Sequence, residues 1–437
     1  MFAGQSTWID VHNAFDPVQP VPPDKLDAWF VERPQSPLTV LLSDLHPEKV
    51  PKRAILVGHD ASGKSTELTK LAAELAERYG YFVVRINLEQ NLDIERANPV
   101  EVVFLMGAAI YKVAEAELER KPTRKPLETL KGDLETLVQT HTANKGFSID
   151  LAELLGNLIC FGASFLGGSS LGETVKTVAE KVIPPFRFVS GTNVEVVSRL
   201  EVEPQVERMV GHLNEVIEEV QEKAGRPLVL IVDGLDRPRD PNVIALNFSE
   251  KKFLASPACR VVYAAPIWLY YSPRFATVRN HFPTVLEFPN IKLYHKDDRE
   301  QKDKKGYATM RQVAHKRLQD LDLEPNDVIT PRALNLLIQG SGGVMRDFIR
   351  LVRDAATKAE IASKPRIDVL VAEKALSGLR RLYEAQLNPL HRQILAKVRE
   401  THQRTEEKEC DDLLKGNFVL SYLNDEVWFD VHSILTS

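Results

Sequence analysis

The sequence predicts an α/β fold: a parallel sheet covered by helices on both faces, then a mostly helical segment and a short terminal hairpin. Three observations predict it. Short apolar runs (RAILV, YFVVRINL, LVLIV) read as strands buried on both faces. Stretches of helical periodicity separate them. A glycine-containing loop joins the first strand to the first helix, as in α/β proteins that hold phosphates at the sheet's edge.

The elements follow in order. Residues 1–45 are Pro-rich, with Pro17, Pro20, Pro22, Pro23, Pro34 and Pro37 close together. Such a stretch is extended, with room for one short helix around Lys25–Val31, and reads as a strap leading into the first domain. Arg53–Val57 is the first strand. A helix starts near Gly63, with Leu68, Leu71, Ala72 and Leu75 at helical spacing and Gly80 as its C-cap. Tyr81–Leu88 is the next strand, and Pro99–Leu118 is helical. Pro204–Lys223 is an amphipathic helix with a stripe of Val206, Met209, Leu213, Val216, Ile217 and Val220, closed by Gly225 and Pro227. Leu228–Val232, Arg260–Ala264 and Thr284–Phe288 complete the sheet. Beyond about residue 300 strand signals give way to helices running to about 404. Phe418–Val431 then reads as a hairpin turning at Asn424-Asp425.

Length and composition set limits on function. At 437 residues the chain has room for two to four domains. Its net charge of −5 excludes a polycation that coats nucleic acid. Cys160, Cys259 and Cys410 are far apart, which excludes a disulfide scaffold or zinc ribbon and fits a reducing compartment. No basic-then-apolar leader opens the sequence, so a cytoplasmic location is expected.

The strongest motif is Gly58-His59-Asp60-Ala61-Ser62-Gly63-Lys64-Ser65, followed by Thr66, which fulfils G-x-x-x-x-G-K-[ST]. The glycines let the backbone wrap around phosphate oxygens with its N–H groups pointing inward. The helix that starts at Gly63 adds a partial positive charge. Lys64 reaches the β- and γ-phosphates, and the Ser65 hydroxyl is a ligand for Mg²⁺. ATP with Mg²⁺ is the expected cofactor. Asp233, at the end of Leu228–Val232, supplies the carboxylate that such a site needs on a second strand. Hydrolysing ATPases often place another carboxylate directly after it. Here that position is Gly234, and Asp236 is the nearest substitute. Nucleotide binding is thus better supported than fast turnover, and a slow or conditional ATPase is expected.

The run Gly58-His59 to Ser65-Thr66-Glu67-Leu68 resembles the GHxxSGKSTEL loop of a bacterial AAA+/STAND ATPase group, related to origin-initiator and transposition-regulator ATPases. GRPLVLIVDGLD (Gly225–Asp236) is similar to the group's Walker B region, RVVYAAPIW (Arg260–Trp268) to its sensor-1 strand and GSGGVMRDFIRLVRDA (Gly340–Ala355) to its sensor-2 helix. The tail from Leu413 is similar to its winged-helix-like module. The resemblance covers about 50–435 and is weakest at 120–200.

It implies a P-loop NTPase core at 46–295 with an insertion at about 120–200, a helical lid at 296–385 and a winged-helix-like module at 386–437. It implies that Arg346 reaches the γ-phosphate from the lid, and that an arginine finger precedes the fifth strand, with Arg279 as first candidate and Arg274 as second. Sensor 1 normally carries a polar side chain where this chain has Ala264-Ala265, a second reason to expect slow hydrolysis. The function implied is a self-associating ATP-dependent switch that signals to a protein effector or sensor, in a setting such as bacterial anti-phage defence. The alternatives are a DNA-engaging initiator-type ATPase and a non-enzymatic scaffold with structural nucleotide.

Two further segments bear on partners. Leu154–Leu171 is uncharged but holds Asn157, four glycines and three serines. A packed hairpin or intersubunit element is expected there, with membrane contact the lesser reading. Lys292–Arg317 carries nine basic residues against four acidic ones. The terminal hairpin, with Asp425, Glu426 and Asp430, is acidic and would repel DNA phosphates. A protein-contacting or autoinhibitory role is expected of it.

Overall fold

The computed structural model describes residues 5–50, 52–90, 99–141, 160–161, 199–238, 240, 244, 248, 253–296, 298–423 and 426–436. Most of Leu154–Leu171 and the Asn424-Asp425 turn lie outside the described residues. No helix among those described is long and apolar enough to cross a membrane. The chain divides into two compact units, one of residues 38–57 and 71–286, the other of residues 1–37, 58–70 and 287–437.

The first unit carries the sheet. Its strands are β1 (Arg53–Gly58), β2 (Phe82–Asn87), β3 (Cys160–Phe161), β4 (Leu228–Asp233), β5 (Arg260–Pro266) and β6 (Thr284–Phe288). They lie in the order β3-β2-β4-β5-β1-β6. Strands β2, β4 and β5 pair in parallel, with Phe82 opposite Leu228 and Asn87 opposite Asp233, while β3 is antiparallel at the edge. Every residue of β4 and β5 is buried, as the unbroken apolar runs require. The helix Arg199–Ala224 buries the expected stripe from Val206 to Val220 and packs on helices Pro99–Glu117 and Lys125–His141. The α/β class is as the sequence predicts.

The second unit gathers the start of the chain, the phosphate loop, the helical lid and the terminal module. Helices Lys304–Gln319, Pro331–Gly340, Met345–Ile361 and Val369–Glu384 form the lid. Asp303, Thr330 and Asp368 cap three of them by accepting backbone N–H bonds. A hairpin precedes them, of β7 (Tyr294–His295) and β8 (Asp298–Lys302). Its second strand, DREQK, is almost wholly exposed, so no apolar pattern announces it. The terminal module is the winged-helix-like one: helices Pro389–Thr401 and Glu409–Lys415, then β9 (Val419–Leu423) paired antiparallel with β10 (Val427–Val431).

The N-terminal strap is more structured than its prolines suggest. Gln5–Ala14 is a helix that packs on Met345–Ile361, with Trp8, Val11, Ala14 and Phe15 buried. Asp16 pairs with Arg353 at 3.2 Å, and Lys25 and the Trp29 indole N–H both reach Asp320, at 2.9 and 2.8 Å. The expected short helix is present as Leu26–Trp29.

Candidate functional site

Strand β1 runs into the loop Gly58–Gly63, and the helix Lys64–Tyr79 starts where the motif places it. Gly63 has φ +102°, which only glycine adopts without strain. Ala61 also sits in the left-handed region, at φ +65°, where a residue with a Cβ carries roughly 1–2 kcal/mol of strain. Three contacts hold it there. Its N–H donates to Asp60 Oδ1 at 2.8 Å, its carbonyl accepts from Arg346 N–H at 3.1 Å, and its methyl packs against Val344, Leu420, Tyr422 and Trp428.

Lys64 is buried, and its Nζ donates to the carbonyls of Gly58 (3.0 Å) and His59 (2.7 Å). The strap crosses the loop through Arg33. Its Nη1 donates to Ser62 O and its Nη2 to Pro289 O, both at 3.0 Å, and its guanidinium lies 4.2 Å over the Phe288 ring. Burial lowers the Arg33 pKa to about 10, against the pull of Glu67. Burial also raises the Glu67 carboxyl, against the Ser36 hydroxyl bonded to it and the charge of Arg33. Thr66 Oγ1 accepts from Val21 N–H at 3.1 Å.

The lid and the wing both grip the loop. Arg346, in the first turn of Met345–Ile361, donates from Nη1 to Asp60 Oδ2 at 2.9 Å. His59 is fully buried under the wing. The Ser421 N–H donates to His59 Nε2 at 2.9 Å, so Nε2 is the acceptor and Nδ1 carries the proton. That proton faces Asn417 Oδ1 at 3.2 Å, and Asn417 Nδ2 in turn donates to Asp60 O at 3.1 Å. Burial, then the charge of Lys64, pushes the His59 pKa down to about 3. The imidazole is a neutral hydrogen-bonding plug.

Lid and wing are joined to each other as well. The Tyr422 hydroxyl donates to Gly342 O at 2.6 Å, and its ring stacks on Trp428 with centroids 4.8 Å apart. His432 Nε2 stands 3.3 Å from Asp347 Oδ2, which also accepts from the Tyr383 hydroxyl at 2.6 Å. Burial acts to raise the Asp347 pKa, but His432, Tyr383 and Arg350 together hold it below the ordinary carboxylate range. Of the hairpin's acids, Asp430 is buried and paired with Arg299, so its charge is spent inside the protein rather than displayed to solvent.

The acidic strand end belongs to the sheet unit. Asp233 is buried at the end of β4 and accepts from Arg85 Nη2 at 3.0 Å. Gly234 has φ +100°, and a Cβ there would lie 3.1 Å from Glu89 N and 3.3 Å from Asn87 Oδ1. A side chain at the position after Asp233, a second carboxylate included, would be strained by this left-handed backbone and crowded by its neighbours. Asp236 is buried nearby in sequence, and Ala264 and Ala265 bury their methyls at the end of β5. Arg279 is exposed on the helix Phe275–His281, with Arg274 at its N-cap.

The structure thus brings Gly58–Thr66 and Arg346 into one cluster. Sequence reasoning missed His59's role as the wing's anchor, and Asn417, Ser421, Arg33 and Arg85. Arg85 was detectable: an arginine inside an otherwise apolar strand needs a buried partner.

A strand, a phosphate loop and a helix on a parallel α/β sheet, followed by a helical lid and a winged module, define a P-loop NTPase fold. No protein-family model matches the chain, and no curated protein matches it. Among solved structures it is similar to the Aeropyrum pernix ORC1 protein in complex with DNA, at 14% identity, 97% of this chain, 95% of that one and a TM-score of 0.42. It is also similar to the Aeropyrum pernix ORC2 protein in ADPNP–ADP complexes (13%, 97%, 94% and 0.40). A third is Cdc6p from Pyrobaculum aerophilum (13%, 97%, 96% and 0.37).

Proposed function

We propose that this protein is an ATP- and Mg²⁺-dependent molecular switch of AAA+/STAND type, which self-associates and signals to a protein partner. The observation that carries the reading is the convergence of lid and wing on the phosphate loop: Arg346 on Asp60, and Asn417 and Ser421 on His59. A loop built to cradle phosphates is also the loop on which two neighbouring modules are seated.

The residues fit the cofactor. Gly63 and Ala61 bend the backbone as a phosphate cradle requires, and Lys64 and Ser65 would hold a triphosphate and its magnesium; Asp233 is proposed as a further magnesium ligand from the sequence motif alone. The metal would supply charge neutralisation to the phosphates. Lys64 Nζ is now bonded to loop carbonyls, and Arg346 to Asp60. Phosphate oxygens form stronger, charge-assisted bonds to both cations. Nucleotide would therefore draw Lys64 away from the His59 carbonyl and Arg346 away from Asp60, loosening the loop's hold on lid and wing.

Hydrolysis in this reading is slow or conditional. Gly234 supplies no water-orienting carboxylate, and its left-handed backbone disfavours one; Asp236 is the remaining candidate, and Ala264 and Ala265 offer no polar group. The exposed Arg279 is a candidate to act on a neighbouring subunit's nucleotide. The modules proposed are the strap (1–45), core (46–295), lid (296–385) and wing (386–437). The setting this implies is bacterial and cytoplasmic, with defence signalling as one such role.

Light scattering with and without ATP tests it. Lys64→Ala should abolish ATP-dependent assembly, and Arg346→Ala should make assembly indifferent to ATP. Wild-type-like, ATP-dependent assembly in both variants would defeat the reading.

A further inference from the structure

A cavity of about 480 Å³ opens within the second unit, among the strap at Arg33–Gln35, the segment Pro289–Lys292, the β7–β8 hairpin and the first turn of Lys304–Gln319. Its size is that of a small-molecule site. Its walls carry Arg33, Lys292, His295, Lys302, Lys304 and Lys305. The acid among them, Asp303, is already engaged: Oδ1 caps the helix by accepting from Gly306 N–H at 2.7 Å, and Oδ2 pairs with Lys292 at 3.2 Å. The cavity is therefore electropositive.

Asn290 lines the same cavity. It is 1% exposed, and neither its amide nitrogen nor its amide oxygen has a hydrogen-bond partner. An amide buried with both ends unpaired is rare, because each end forfeits its bonds to water. The preceding residue's carbonyl is held by Arg33, which ties down the segment that carries Asn290. A carboxamide presents one donor and one acceptor side by side, the complement of the donor–acceptor edge of adenine. Lysines presented as flexible point charges suit phosphate.

We infer that this cavity binds a mononucleotide, with its phosphate among Lys302, Lys304 and Lys305 and its base edge on Asn290. The site is separate from the phosphate loop. None of residues 58–65 lines it, and the Arg33 guanidinium, bonded to Ser62 on one arm and Pro289 on the other, stands between the two. A ligand there would touch strap, hairpin and lid at once, and so bear on the lid that carries Arg346.

AMP is the discriminating probe, because it lacks the β- and γ-phosphates that Lys64 is placed to grip. Ribose 5-phosphate is the probe without a base. Calorimetric titration of the full chain should show one equivalent of AMP, bound equally well by wild type and Lys64→Ala. Lys304→Glu/Lys305→Glu, at two exposed positions, should weaken AMP by about tenfold or more, as loss of charged hydrogen bonds does. Asn290→Leu, checked for unchanged thermal unfolding, should reduce AMP to the affinity of ribose 5-phosphate. Absence of AMP uptake would overturn the proposal. So would AMP uptake that disappears in Lys64→Ala, which would assign the binding to the phosphate loop. Uptake indifferent to the lysine reversals, or an Asn290→Leu protein that still prefers AMP, would equally overturn it.

Discussion

Replacing Asn417 by glycine removes a side chain that bonds both to the His59 ring and to the Asp60 carbonyl. Its backbone tolerates the change, since Asn417 has φ +60°, where glycine rests without strain. Leaving a buried polar group unpaired costs roughly 1–3 kcal/mol. The Leu414 carbonyl, also against the His59 ring, takes up part of that loss, and relief of the left-handed conformation offsets up to about 1 kcal/mol more. The net weakening of the wing's seat is then up to about 2 kcal/mol, or a shift of up to roughly thirtyfold toward the released wing. If the seated wing opposes nucleotide, ATP·Mg²⁺ should bind correspondingly tighter. A fluorescence titration with a labelled ATP analogue reads this directly, beside Asn417→Ala, which loses the same bonds but keeps the strain. Equal or weaker affinity in Asn417→Gly, in a protein whose unfolding transition has moved as expected, would refute the coupling.

Two further predictions concern the same framework. His59 is held far below its ordinary value, so its contribution is complete above about pH 6.5 and is lost as the pH falls toward 3, by up to about 1.4 kcal/mol per pH unit. Thermal unfolding of wild type should therefore fall more steeply between pH 7 and 5 than that of His59→Gln, and parallel curves would count against a buried neutral imidazole. Gly234→Ala should destabilise the sheet unit by roughly 1–3 kcal/mol, from its left-handed φ and the crowding by Glu89 N; unchanged chemical denaturation would show that the turn can relax.

The parts of this protein that could be read from its sequence are those whose physics is local. The phosphate loop needs its glycines, lysine and serine at fixed spacing within eight residues, so Gly58–Ser65 declares itself. Strands β4 and β5 are buried on both faces, and an unbroken apolar run has few other uses. The helix Gln5–Ala14 was obscured by the prolines that follow it, although Trp8, Val11 and Phe15 recur at helical spacing. β8 was hidden because its side chains face water. The wing's seat was hidden for a different reason. Ser421 and His59 meet across 362 residues, and no periodicity encodes which backbone N–H will find an imidazole. Asp430 reads as a surface charge until Arg299 is seen beside it.

In the proposed switch, occupancy of the phosphate loop decides whether the wing stays seated on His59. Hydrogen exchange at the Ser421 amide, which donates to the His59 ring, tests it most directly. Adding ATP·Mg²⁺ should speed exchange there in wild type and leave Lys64→Ala unchanged. Exchange that stays slow in wild type at saturating nucleotide, or that quickens equally in Lys64→Ala, would contradict the account.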